Sequence, residues 1–160
     1  MTPRQHETLV GNPMRLDRPA DLRHVAAIEA PGLLRADRLE FQRSLAAIRS
    51  ATECRAFLSY GDVAAASGLT WQAARRRMDP HLFALCRAAT TRGWPLPTAI
   101  VVDRESLAHG AMTGRPLIGF AGAAERCGRI VGGDAAAFLA AEQQRVFEWA
   151  ERERGNVLHD

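Results

Sequence analysis

Residues 59–78 read SYGDVAAASGLTWQAARRRM and set Gln72, Arg75 and Arg76 three and four positions apart. At that spacing on a helix the three side chains share one face. The chemistry they offer is recognition rather than bond breaking. In the major groove of DNA, arginine pairs bidentately with guanine and glutamine with adenine, while neighbouring arginines neutralise phosphates and fix the register. Arg77 and, farther along, Arg104 and Arg115 are weaker candidates for phosphate contact. Trp71 has two readings: it stacks on a base or wedges a base step, or it packs the helix onto the rest of the fold. A competing reading of the arginines is a solvated face on two packed helices.

Positioning such a face takes two helices joined by a tight turn, and the same stretch carries the signals for them. Ser59 with Asp62 forms a capping arrangement that starts a helix near Tyr60. Ala64 is small where the two helices would cross, and Gly68 supplies a residue tolerant of positive φ in the turn. Thr70 caps the second helix, which opens at Trp71. Val63, Leu69 and Ala74 pack the pair together, and Ser67 is small where such turns are more often apolar. Asp79-Pro80 is expected to break the second helix and cap a third over 81–91, closed by Gly93. Leu82, Phe83, Leu85 and Cys86 would be its core residues.

Upstream, Leu34, Phe41, Leu45 and Ile48 fall near helical spacing and predict a long amphipathic helix over 34–55. A shorter helix over 19–29 follows the cap Asp17, and residues 1–16 read as an irregular arm. Downstream, the β-branched end of WPLPTAIVV predicts a strand at 98–102, and LIGF at 117–120 a partner strand. The polar stretch between them would form a wing carrying Arg104, His109 and Arg115. Asp134 caps a final helix to about residue 154, with Phe138, Leu139, Val146, Trp149 and Ala150 inward. The expected fold is α+β and mostly helical: a helix-turn-helix with a two-stranded β-hairpin wing and flanking helices. An arm at 1–16 precedes one winged-helix-like domain at 17–160, divided into a helical extension (17–57) and a winged core (58–154).

The 160 residues suffice for a hydrophobic core without disulfide or metal support. A formal charge of +3 is too small to imply nucleic acid by itself. Its distribution says more: residues 61–92 hold five arginines against two aspartates, whereas 93–160 hold seven arginines against nine acids. All 21 basic residues are arginine, so every cationic contact is a planar, permanently charged fork. Cys54, Cys86 and Cys127 are far apart and argue against a disulfide framework or a structural zinc site. The N-terminal sequence has no signal-peptide core and no apolar run approaches a membrane span. A cytoplasmic protein without membrane contact is expected.

Catalysis lacks a credible constellation. His81 and Cys86 stand five apart, a poor spacing for facing side chains, and Cys86 reads as a small core residue. His6, His24, His109 and His159 show no metal-ligand spacing. GRIVGGD at 128–134 lacks the lysine of a P-loop and reads as a turn. Glu142 lies toward the apolar face of the last helix and suits a structural hydrogen bond to the wing backbone. Neither enzyme activity, cofactor nor metal is therefore expected. DNA is the expected partner, and a protein-interaction adaptor or inhibitor built on the same platform is the alternative. A homodimer through the 34–48 or C-terminal helix is compatible with the pattern.

YGDVAAASGLTWQAAR, WPLPTAIVV, GRPLIGFAG and LAAEQQRV, spread over roughly 58–146, distantly resemble the DNA-binding domain of alkylguanine alkyltransferases and alkyltransferase-like proteins. The resemblance implies that Tyr60 and Arg75 handle a flipped nucleotide, although one extra residue separates them here. The P-C-H-R active-site motif of that family is absent, so the resemblance implies lesion binding without alkyl transfer. YGDVA, LPTAIVV, TGRP and EQQRVFEW also resemble a group of uncharacterised small bacterial proteins, which implies a winged-helix-like fold.

Overall fold

The computed structural model describes residues 38–158, all within one unit, Asp37–Asp160. The expected arm at 1–16, the helix at 19–29 and residues 34–37 of the 34–55 helix lie outside the described residues; within them that helix covers only Phe41–Glu53, because Glu40 before it is extended. Among those described are five α-helices: α1 (Phe41–Glu53), α2 (Tyr60–Ala66), α3 (Trp71–Thr91), α4 (Gly114–Arg126) and α5 (Ala135–Val157). Two short strands, β1 (Leu58–Ser59) and β2 (Val101–Val102), pair in parallel with Leu58 opposite Val101 and Ser59 opposite Val102. A parallel pair needs a crossover connection, and α2 and α3 are that connection. No helix among the described residues is long and apolar enough to cross a membrane.

Three expectations are corrected. The hairpin wing is not formed: LIGF at 117–120 lies inside α4, and β2 pairs with β1 upstream of the helix-turn-helix. LIGF looked strand-like as a short apolar run. Continued to Ala124, however, its buried positions Phe120 and Ala124 fall four apart, a helical stripe that leaves Ile118 exposed. Second, only Val101–Val102 of the predicted 98–102 strand is extended. Pro97–Ile100 forms a 3-10 turn, consistent with proline favouring a first helical position.

Third, Asp79-Pro80 does not divide the second helix. Helix α3 runs unbroken from Trp71 to Thr91 with Pro80 inside it. Proline costs about 3 kcal/mol in a helix interior relative to alanine. Met78, Leu85, Cys86 and Ala89 are buried on α3, and complete burial of a large apolar side chain returns about 1.5–3 kcal/mol each. Packing outweighs the proline.

The core centres on residues 96–102, all of them buried and in contact with α1, α3 and α5. A buried irregular segment must find partners for its backbone groups. Helix α5 supplies them: Leu96 N–H donates to Glu142 (3.1 Å), and Gln143 Nε2 donates to the carbonyls of Ala99 (3.0 Å) and Gly110 (2.8 Å).

Candidate nucleic-acid interface

The turn between α2 and α3 is built by local chemistry. Ser59 Oγ accepts from Asp62 N–H (3.1 Å) and Asp62 Oδ2 accepts from Ser59 N–H (2.8 Å), which closes the capping box at the start of α2. Gly68 takes φ +76°, and the amide of Leu69 returns to the carbonyl of Ala64 (2.9 Å). Thr70 Oγ1 accepts from Ala73 N–H (3.2 Å) and starts α3. Val63, Ala64 and Ala74 are wholly buried where the helices meet, so no larger side chain separates the backbones. Ser67 is buried because its hydroxyl accepts from the Glu40 N–H (2.9 Å) just before α1. That bond explains a polar residue at a position that is more often apolar.

This arrangement leaves Gln72, Arg75 and Arg76 together on the exposed face of α3. Among the described residues, neither Arg75 nor Arg76 forms an ion pair or side-chain hydrogen bond. Glu40, just before α1, pairs with Arg43 instead (3.5 Å). Asp79 lies one turn farther on the same face and dilutes its charge without bonding to either arginine. Arg77 is exposed but already engaged by another group. Thr70 serves as the cap, its hydroxyl spent on Ala73.

Trp71 is 41% exposed and stacks on Tyr60, with ring centroids 6.1 Å apart and planes 26° from parallel. The stack separates two hollows. One, of about 520 Å³, is lined by Tyr60, Trp71, Asp103 and Arg104. The other is a cleft of about 380 Å³ between α3 and α4, with Arg115 and Arg126 among its lining residues. Arg104 and Arg115 were expected on the wing between two strands. They instead occupy a 3-10 turn and the first turn of α4, yet each still borders the Tyr60–Trp71 stack. The Tyr60 hydroxyl is pushed up to about 12 by burial, with Asp103 and then Asp79 adding to the effect. It therefore stays protonated and can donate a hydrogen bond throughout the physiological range.

The cleft also contains residues the sequence did not single out for a site. Arg126 lies 3.8 Å from the Phe83 ring centroid, a close cation–π contact, and Met112 and Phe120 line the cavity. Arg126 lies at the C-terminal end of α4, outside the residues that the sequence singled out for a site, so only the packing of α4 on α3 reveals it. Cys86 forms part of the wall with its thiol 3.0 Å from the Thr98 hydroxyl, and burial pushes it up to about 11. A thiol held there is overwhelmingly protonated at neutral pH and a poor nucleophile.

The remaining polar candidates are structural. His81 Nε2 bonds Ser44 Oγ (2.7 Å) between α3 and α1. His109 Nδ1 accepts from Ala111 N–H (3.0 Å) within a turn. Asp134 caps α5 through Ala137 N–H (3.0 Å). Glu142 is fully buried and receives the Arg129 guanidinium, so GRIVGGD delivers an ion-pair partner to the core. Its backbone contact is with Leu96, in the turn before β2, not with a wing. Among the described residues, no three His, Cys, Asp or Glu side chains gather where they could hold a metal ion.

No family model, curated protein or solved structure matches this chain.

Proposed function

We propose that this protein binds duplex DNA through α2 and α3 without performing chemistry on it. The supporting observation is the unpaired Arg75–Arg76 couple beside Gln72, on the second helix of a turn set by Ala64 and Gly68. An α-helix fits the major groove, and two guanidiniums not neutralised within the described structure can displace condensed counterions from phosphates. Arg104 and Arg115, beside the Tyr60–Trp71 stack, would contact the backbone on either flank.

Fluorescence anisotropy of a labelled random duplex, titrated at several salt concentrations, tests this reading. Binding at about 1–100 μM that weakens steeply with salt is expected for the non-specific mode. Each phosphate contact contributes about 0.9 to the log–log salt slope, so Arg75→Ala/Arg76→Ala should make it shallower by up to about 1.8. Absence of binding at low salt by folded protein would sink the proposal and favour the protein-adaptor alternative.

The cleft beside Tyr60 favours a second reading, an alkyltransferase-like lesion binder. A cavity of about 380 Å³ with a protonated phenol and an aromatic stack at its edge has room and donors for one extruded base. Cys86, held as a thiol, supplies no nucleophile. Equal affinity for an intact duplex and for one carrying an O6-alkylated guanine would remove this reading and leave the first in place.

A further inference from the structure

Helix α3 is about 30 Å long at 1.5 Å per residue, and its far end, remote from Gln72 and Arg75, borders a second basic surface. A hollow of about 400 Å³ lies there between the end of α3, the turn at Trp94 and the start of the polar face of α5. Arg129, Arg145 and Arg152 line it, and no acidic side chain among the described residues does. Arg145 and Arg152 stand seven apart on α5, close to two full turns, so they share one face. Arg129 reaches the same place from the loop before α5.

The core fixes two of these three guanidiniums. The buried Glu142 carboxylate accepts two bonds from Arg129 (2.6 and 2.9 Å) and one from Arg145 (3.2 Å). A guanidinium has five N–H donors, so both forks are held in place with most of their donors unspent on Glu142. Arg152 forms no ion pair or side-chain hydrogen bond among the described residues. Three guanidiniums against one carboxylate leave a local charge of about +2. Glu148, between Arg145 and Arg152 in sequence, accepts from Gln144 instead (3.0 Å) and pairs with neither arginine. Arg92, 5.3 Å from the Trp94 ring centroid, adds a further positive group at the edge. The last carbonyls of α3 would repel an anion, but those of Ala88, Ala89 and Thr90 already accept from the amides of Arg92, Gly93 and Trp94.

We infer that this hollow binds a phosphate dianion, either the free ion or the terminal group of a small phosphate monoester. The planar arginine fork matches phosphate oxygens two at a time, and three forks around one hollow suit a group with three terminal oxygens. A monoester carries about −1.5 to −2 charges at neutral pH, which balances the local excess. A phosphodiester or a carboxylate brings a single negative charge and neutralises only half of it. The Trp94 ring is already engaged by Arg49, Arg92 and Trp149, so recognition rests on the phosphate group and not on a stacked base. The inference does not depend on the nucleic-acid reading.

Titration of the full chain at about pH 7.5, where a monoester is mostly dianionic, tests this at fixed ionic strength. The probes are phenyl phosphate, inorganic phosphate and dimethyl phosphate, followed by the Trp94 indole and the 90–94 amide signals in ¹H–¹⁵N spectra. Phenyl phosphate is expected to bind with a Kd of about 0.1–1 mM, and dimethyl phosphate at least about tenfold more weakly. Arg152→Glu alters an exposed side chain and leaves the Arg129–Glu142 pair intact. It should weaken phenyl phosphate at least about tenfold with the circular-dichroism spectrum unchanged, whereas Arg75→Ala/Arg76→Ala should leave this binding as it is. Inorganic phosphate binding as tightly as phenyl phosphate assigns the site to the free ion, tighter phenyl phosphate to a monoester; either sustains the inference. No response of wild type to phenyl phosphate up to about 10 mM overturns it. So does equal affinity for dimethyl phosphate, or indifference to Arg152→Glu. Duplex binding that disappears in Arg152→Glu would place the hollow on DNA and overturn it too.

Discussion

Replacing Glu142 probes how the core segment 96–102 is held. Its carboxylate is fully buried and receives four donors: Leu96 N–H at 3.1 Å, two Arg129 nitrogens at 2.6 and 2.9 Å, and Arg145 Nη1 at 3.2 Å. Arg145 is largely exposed, so its share is small. Arg129 has a side chain only 23% exposed and pairs bidentately, the stronger geometry. Glu142→Leu leaves the Leu96 amide without its acceptor, a loss of about 1–3 kcal/mol. It also strands a half-buried guanidinium. Breaking a buried pair from one side typically costs about 3–5 kcal/mol, which already contains part of the amide term. A total of about 3–5 kcal/mol lowers the melting temperature of a domain this size by roughly 10–20 °C.

Glu142→Gln keeps one oxygen but turns an NH₂ donor toward a guanidinium, so about 2–3 kcal/mol is expected. Adding Arg129→Met to Glu142→Leu removes the stranded charge and should recover about 1–3 kcal/mol of the loss. Circular-dichroism melts and urea titrations of wild type, Glu142→Leu, Arg129→Met and the double variant give this cycle directly. A Glu142→Leu melt within about 3 °C of wild type, or strictly additive single effects, would refute the claim that this pair anchors the central segment.

Gly110 combines φ +74° with a position where a Cβ would enter the Phe57 ring, whereas Gly93 at φ +72° faces open space. Gly110→Ala should therefore lower the urea stability by about 2–5 kcal/mol against about 1–2 for Gly93→Ala; equal losses would show that only backbone strain matters. Pro80→Ala restores a possible amide donor to an exposed position within α3 and should stabilise by up to about 3 kcal/mol in the same titration. A loss would mean that the proline's local geometry is needed for packing. Burial holds His81 below the ordinary histidine value of 6.5. The unfolded chain thus takes up a proton first as pH falls, and the His81 contribution, present above about pH 6.5, is lost as pH drops through and below it. Urea midpoints measured across this window should fall with acid less steeply in His81→Gln, and an unchanged slope would exclude His81 as the source.

The turn between α2 and α3 was legible because its determinants are local. Ser59 and Asp62 bond each other three residues apart, Gly68 answers a positive φ, and Thr70 caps its own helix. Each depends on neighbours within one turn, so sequence spacing suffices. The inward face of α5 was legible for the same reason: Leu139, Val146, Trp149 and Ala150 keep helical spacing and are buried.

The wing and the break at Asp79-Pro80 failed for a common reason. LIGF and AIVV are short apolar runs that suit a strand or a buried helix equally, and only the packing of Phe120 and Ala124 decides for helix. Proline's local penalty was visible in the sequence, but the burial of Met78, Leu85, Cys86 and Ala89 that offsets it was not. The cleft that joins Tyr60 and Trp71 to Arg115 and Arg126 likewise exists only once α4 packs on α3. The sequence by itself determined the turn, its caps and the residue types on the exposed face of α3. Tertiary structure alone decided that Arg75 and Arg76 remain unpaired among the described residues while Arg129 is drawn into the core, because ion pairing depends on distances between segments that one-dimensional spacing does not contain.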